Sequence, residues 1–111
     1  MAQATITFTL SQTDFDGIID MAGYGVGHWA SYMKSTPAGC HFTDAESGDK
    51  FFITREKLEQ AALDLFVTAP LNDYYQEAIG ELVLCGNAGE VGSDIADAIV
   101  QQAIFGGVIW G

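Results

Sequence analysis

The most continuous apolar pattern in the chain covers residues 93–110, SDIADAIVQQAIFGGVIW, and its first part predicts a helix. Ile95 and Ile99 fall on one face of a helix, and the alanine, valine and isoleucine positions around them widen that face until only a narrow polar strip remains. A helix with so little polar surface must be buried. We therefore predict that the other elements of the fold pack on this segment.

Both ends of this helix carry recognisable signals. Ser93 is the predicted N-cap, and Asp94 and Asp97 lie in the first turn, where the helix dipole favours negative charge. Gly106 and Gly107 are the predicted stop, because glycine adopts the left-handed geometry of a helix end without a steric penalty. The apolar residues 108–110 that follow predict a short edge strand or an apolar plug.

Three further segments show apolar residues at helical spacing. Ser11, followed by Asp14, forms a capping-box pattern and so starts a helix that should end near Ala22, where glycines at 23, 25 and 27 interrupt it. Thr54 is the predicted cap of a second helix. This second helix should end before Pro70, and a third should run from Asn72 or Asp73 through Leu84.

Alternating apolar and polar residues predict strands. Residues 4–10 alternate strictly and predict a first, half-buried strand. Residues 28–34, aromatic and alternating, predict a second. The turn residues at 35–39 and the polar loop at 44–49 predict that residues 40–43 and 50–54 follow as two more strands of a meander. The order β-α-β-β-β-α-α-α predicts a single α+β domain over residues 1–111, with a small antiparallel sheet of three to four strands covered by helices on one face.

Net charge is the feature of the composition that most restricts the possible partners of the protein. The chain holds 15 acidic residues against four basic ones, for a net charge of -11, while 49% of its residues are apolar. The apolar fraction predicts a globular protein, and the negative charge disfavours nucleic acid and anionic membranes as direct partners. No secretory leader or apolar run of membrane-spanning length is evident, so we expect a cytoplasmic protein.

The residues that could carry catalysis or bind a metal have simpler structural interpretations. Gly23, Gly25 and Gly27 lack the preceding strand and following helix of a dinucleotide-binding loop. His28 and His41 could meet across the hairpin with Asp44 or Glu46 to bind a metal, but they lack regular ligand spacing. We therefore predict neither an enzyme nor a cofactor or metal site.

The cysteines give no stronger signal. Cys40 lies next to His41, but neighbouring residues in a strand point to opposite faces, which disfavours a thiol–imidazole pair. Cys40 and Cys85 are far apart in the sequence and lack CxxC spacing. Reduced thiols are the expected state, with a disulfide as the alternative.

The acidic residues follow a pattern. Asp73, Glu77 and Glu81 repeat every fourth residue along the predicted third helix, and Asp16 and Asp20 do so along the first. Like charges at this spacing destabilise an isolated helix by about 0.2 to 0.5 kcal/mol a pair, and no basic residue in either segment offsets that cost. The pattern is typical either of a solvated surface or of a surface that binds cationic protein sites. A third group of candidate contacts is formed by the loop acids Asp44, Glu46 and Asp49.

Residues 23–30, GYGVGHWA, 71–75, LNDYY, and 94–106, DIADAIVQQAIFG, resemble a family of small acidic proteins from bacteriophages and prophages. The resemblance implies an accessory protein that acts against host defences, such as an anti-CRISPR or antirestriction protein, in the cytoplasm of an infected or lysogenic bacterium. The expected partner is a host nucleic-acid-handling complex. Carboxylates about 6 Å apart along a helix would stand in for phosphates on its basic surface.

Two alternatives belong to other functional classes. The first is a binding protein for a nucleotide signal, with residues 23–27 as the ligand loop and Tyr24 and Trp29 as stacking partners. An anionic ligand would require the chain's basic residues, Lys34, Lys50, Arg55 and Lys57, to gather at one pocket. The second is a phage structural or assembly protein whose apolar residues 108–110 pack between subunits.

Overall fold

A computed structural model describes residues 8–68, 73–89 and 91–108 of the chain. It confirms the α+β class, with a three-stranded antiparallel sheet and four helices in the described residues. The strands are β1 (Ala30–Thr36), β2 (Gly39–Asp44) and β3 (Lys50–Ile53), and the helices are α1 (Gln12–Gly25), α2 (Arg55–Thr68), α3 (Asp73–Cys85) and α4 (Ser93–Phe105).

The sheet has the order β1-β2-β3, with antiparallel neighbours. Alternate residues of β2 point into the core, so that Cys40 and Phe42 are fully buried while His41 is exposed. Ile53 of β3 lies opposite Cys40 and is also buried. One face of the sheet therefore packs in the hydrophobic core and the other is open to solvent, as predicted for a sheet covered by helices on one face.

Helix α4 lies at the centre of the fold and packs on both α1 and α2, as predicted. Its residues from Ile95 through Gln101 are all buried. The predicted start was wrong by one residue, because Gly92 occupies the N-cap position and Ser93 is the first helical residue. Gly106, with φ of 73°, ends the helix in the left-handed conformation as predicted.

Helix α1 begins as predicted, with the Asp14 amide donating to Ser11 Oγ at 3.1 Å. Its predicted end near Ala22 was wrong, because the helix continues through Gly23 to Gly25 and is followed by a 3-10 turn at Val26–His28. Because of this turn, β1 begins two residues later than predicted, at Ala30 instead of His28. Gly25 has a negative φ and its Cα faces the Ser93 carbonyl, so this glycine serves close helix packing, not helix termination.

Of the predicted strand at residues 4–10, residues 4–7 lie outside the described residues. Phe8, Thr9 and Leu10 are not in a strand. The Leu10 amide donates to Glu59 Oε2 at 2.7 Å, and the Leu10 carbonyl accepts from Arg55 Nη1 at 2.6 Å. Side chains of α2 thus satisfy the backbone groups that a neighbouring strand would have paired.

Helices α2 and α3 follow the prediction closely. Thr54 Oγ1 accepts a hydrogen bond from the Lys57 amide at 3.3 Å, which makes Thr54 the predicted cap of α2. Pro70 lies outside the described residues. After α4, Val108 is not in a strand, and the rest of the predicted terminal strand, at 109–110, also lies outside the described residues.

Candidate functional site

The predicted acids of α1 lie on its exposed surface. Asp16 and Asp20 are both exposed and stand one helical turn apart. Tyr24 follows one turn later with 83% of its surface exposed. We call these three residues the α1 stripe; it joins two carboxylates and one aromatic ring on the same side of the helix.

Grooves lie on both sides of the α1 stripe. One, with a volume of about 650 Å³, runs between α1 and the segment before α4, and Asp14, Asp20, Met21 and Tyr74 are among the residues that line it. The other, of about 510 Å³, separates α1 from the β1–β2 hairpin and is lined in part by Asp16 and Asp20. Asp20 therefore borders both grooves, and a partner could contact its carboxylate from either side.

The predicted acids of α3 are described in part. Asp73 begins the helix, but its side chain lies outside what the structure describes. Glu77 is exposed and Glu81 is partly buried. Tyr74 shares their side of the helix, with 52% of its surface exposed, and it reaches the larger α1 groove. Tyr74 thus links the α3 acids to the surface formed by α1.

The loop acids divide into two groups. Asp44 is buried at the end of β2, where its Oδ1 accepts from the Glu46 amide at 2.8 Å and the Ser47 amide at 3.3 Å. Its carboxylate therefore stabilises the turn between β2 and β3. Glu46 and Asp49 are exposed in that turn and remain candidate contacts.

The structure also contains a buried polar cluster that the sequence did not predict. It is centred on Asp97, which is 7% exposed. Asp97 Oδ1 accepts from Trp29 Nε1 at 2.7 Å and from Gln101 Nε2 at 3.0 Å, and its Oδ2 lies 2.7 Å from His28 Nε2. We call these four residues the Asp97 cluster; it joins the segment before β1 to the middle of α4.

This cluster changes the interpretation of Trp29. Its indole is 2% exposed and packs against Phe42 and Phe105, with ring centroids 6.0 and 5.5 Å away. The prediction that Trp29 could stack on a nucleotide beside the glycine loop was therefore wrong. The sequence does contain one indication of the cluster, because Asp97 is a charged residue within an otherwise apolar run. Its partner Trp29 lies 68 residues away, so the sequence alone does not pair the two.

A small cavity of about 290 Å³ adjoins the Asp97 cluster. Its lining includes Gly25, His28, Tyr75 and Asp94, so α1, the 3-10 turn, α3 and α4 all contribute to it. Burial raises the pKa of the Tyr75 phenol, and the nearby carboxylates of Asp94 and Asp97 raise it further. The phenol thus stays protonated at neutral pH and presents a hydrogen-bonding group rather than a base.

The two histidines do not come together. His28 contacts Asp97, whereas His41 lies opposite Lys34 in the sheet and its ring packs against Phe52 with centroids 4.6 Å apart. Within residues 8–68, 73–89 and 91–108, no group of three His, Cys, Asp or Glu side chains could hold a metal ion.

The two cysteines are free thiols in very different surroundings. Cys40 is fully buried, and this burial raises its pKa to about 11 although a hydrogen bond to the Lys34 backbone partly opposes the shift. Cys85 is exposed. The predicted separation of Cys40 from His41 is confirmed, since one side chain is buried and the other exposed.

We expect one thiol of the native protein to react with Ellman's reagent at neutral pH and the second only after unfolding. Reaction requires an accessible thiol that can ionise; Cys85 is exposed, whereas Cys40 is buried and its pKa is raised. Absorbance at the thionitrobenzoate band gives the stoichiometry. The Cys85→Ser variant should lose the native-state reaction, and two thiols reacting at equal rates would contradict the burial of Cys40.

In comparisons with protein-family models, curated proteins and solved structures, nothing matches this chain. None of the described helices has the length and apolar character needed to cross a membrane.

Proposed function

We propose that this protein is a phage-encoded, anti-CRISPR-like inhibitor of a host defence complex. It binds a basic, nucleic-acid-handling surface of that complex through the carboxylates of α1 and α3, with no catalytic step. The observation that carries the proposal is the α1 stripe, in which Asp16, Asp20 and Tyr24 are exposed together between two grooves.

Charge segregation supports this assignment. All four Lys and Arg residues of the chain lie between positions 34 and 57, which cover the sheet and the first turn of α2. Helices α1, α3 and α4 contain none. The carboxylates of α1 and α3 therefore have no basic neighbour on their own helices, and a cationic partner would relieve their mutual repulsion.

The exposed tyrosines support a protein partner in particular. Tyrosine is enriched among residues that dominate binding energy, since its ring buries a large area and its hydroxyl can still form a hydrogen bond. Tyr24 ends the α1 stripe, and Tyr74 lines the adjoining groove. A flexible arginine or lysine side chain entering that groove would meet both a ring face and the Asp20 carboxylate.

The double variant Asp16→Lys/Asp20→Lys should weaken binding to the host complex about 100-fold, because each reversed charge replaces an attraction with a repulsion. The complex is first captured from host lysate with the tagged protein, then purified. Its affinity for wild type and variant is measured by biolayer interferometry at several salt concentrations. The wild type should show the steeper loss of affinity with salt.

Three additional measurements make this test specific. Glu56→Lys reverses an exposed acid in the first turn of α2 and should leave the affinity almost unchanged. Glu77→Lys/Glu81→Lys tests the α3 acids separately. Nucleic acid added to the captured complex should displace the protein, since both would occupy one basic surface. The proposal fails if the α1 reversal leaves affinity and salt slope unaltered, or if the captured protein has no nucleic-acid-binding activity.

A further inference from the structure

The open face of the sheet carries a groove of about 600 Å³ that belongs to none of the surfaces described above. The residues that line it include Tyr32, Lys34, Thr36, His41, Thr43 and Lys50. A volume of this size falls in the range typical of small-molecule sites, about 300 to 1,000 Å³. The groove is therefore large enough to hold a small molecule, and its side chains indicate which kind.

Strand register arranges these side chains as a grid. Tyr32, Thr43 and Lys50 form one row across the three strands, and Lys34, His41 and Phe52 form the next. Adjacent strands are about 4.8 Å apart and successive rows about 6.8 Å, so the Cα atoms of the two lysines stand about 12 Å apart at opposite corners. Their long side chains can both reach an anion held above Thr43 and His41.

The two lysines are available for a ligand. Among the residues that the structure describes, neither Lys34 nor Lys50 has a side-chain hydrogen bond or an ion pair. The other two basic residues are engaged, since Arg55 Nη1 donates to the Leu10 carbonyl and Lys57 Nζ lies 3.5 Å from the Phe52 carbonyl. Half of the chain's basic residues thus line one groove of a protein with net charge -11, with no ionic partner among the described residues.

Aromatic rings occupy the other two corners of the grid. Tyr32 is 52% exposed, and the rings of His41 and Phe52 contact each other at a centroid distance of 4.6 Å. Rings on an open sheet face can stack on a nucleic-acid base, which contributes about 1 to 3 kcal/mol. Paired cations and exposed rings together complement a ligand that has both a phosphate and a planar base.

We propose that this groove binds a nucleoside phosphate, with the phosphate between Lys34 and Lys50 and the base against Tyr32. A mononucleotide fits better than a nucleic-acid strand because the surroundings of the groove are acidic. Thr36 also lines the groove that holds Asp16 and Asp20, and the turn before Lys50 carries Glu46 and Asp49. A strand would have to continue past the groove toward these carboxylates, whereas a mononucleotide ends within the groove.

Calorimetric titration with AMP, GMP, CMP and UMP tests the proposal, with inorganic phosphate and the matching nucleosides as separate ligands. At least one nucleotide should bind about tenfold or more tightly than either of its parts. Chemical shifts of backbone amides should change chiefly in β1, β2 and β3. Lys34→Ala/Lys50→Ala and Tyr32→Leu should each weaken binding about tenfold or more while leaving the melting temperature unchanged.

Matched variants separate this site from the rest of the protein. Lys57→Ala removes a lysine outside the groove and should leave nucleotide affinity within about twofold. Asp16→Lys/Asp20→Lys, which should weaken binding to the host complex, should leave nucleotide binding intact or strengthen it. The two proposals can therefore fail independently.

Four results would overturn the nucleotide site. These are no binding of any nucleotide by the wild type, inorganic phosphate binding as tightly as the nucleotides, an oligonucleotide binding more tightly than the mononucleotide, or the lysine variant binding normally. A fifth is a dimer detected by light scattering that does not dissociate during the titration, since a second copy of the chain covering the sheet face would close the groove to nucleotides.

Discussion

Asp97→Ala should lower the free energy of unfolding by about 3 kcal/mol or more. The substitution removes the acceptor for the Trp29 indole and the Gln101 amide, and it also removes the partner of His28. Trp29 is buried, and leaving its indole donor without a partner costs about 1 to 3 kcal/mol. Because a small domain is stable by only about 5 to 15 kcal/mol, this loss should be obvious in urea denaturation followed by circular dichroism.

A graded set of variants gives this prediction its control. Asp97→Asn keeps an oxygen acceptor facing the indole and should cost only about 1 kcal/mol. Glu77→Ala removes an exposed acid and should change stability by less than about 0.5 kcal/mol. If Asp97→Ala does not fold, the asparagine variant still tests the cluster. Equal stabilities for the alanine variant and the wild type would contradict a structural role for Asp97.

The sequence predicted those parts of the fold that are stabilised by interactions between residues close together in the chain. Ser11 and Thr54 mark helix starts because their side chains accept from backbone amides three residues ahead, a contact within one turn. The alternation of Cys40, His41 and Phe42 likewise reveals which face of β2 is buried. Such features depend on a few consecutive residues, and they were predicted with errors of only a few positions.

Features that depend on distant partners could not be predicted in this way. Nothing near Gly25 indicates that α4 lies against it, so the glycines of residues 23–27 were interpreted as a helix stop. Leu10 provides a second case, since its backbone is satisfied by side chains of α2 that only the folded chain brings near. In both cases tertiary contacts override the local pattern.

The candidate sites also differ in whether they depend on local spacing or on distant partners. Asp16 and Asp20 could be identified as an exposed pair because helical spacing alone places them on one side of α1. An anionic ligand was expected to require all four basic residues in one pocket, and the structure brings only two of them together. Register brings Lys34 and Lys50 into one groove, while Arg55 is held by Leu10. Strand register is set by the whole sheet, so neither outcome could be derived from spacing.

Gly25→Ala should destabilise the protein by about 3 kcal/mol, although alanine is ordinarily the better helix residue. A Cβ at this position would overlap the carbonyl oxygen of Ser93 and lie 3.1 Å from the Cβ of Asp97. The obstacle is backbone at the start of α4, which cannot rotate away as a flexible side chain could. Helix α1 would have to move from α4, the helix on which it packs most extensively.

Gly17→Ala in the same helix is the matched control, and it should have the opposite sign. A Cβ at Gly17 meets nothing within 4 Å, and the position is exposed in the interior of α1. Removing a helical glycine there should stabilise the protein by about 0.5 to 1 kcal/mol through the lower entropy of the unfolded chain. Thermal unfolding should therefore show a melting temperature raised by a few degrees for Gly17→Ala and clearly lowered for Gly25→Ala. Changes of the same sign would mean that helix propensity, and not the approach of α1 to Ser93, decides the effect at Gly25.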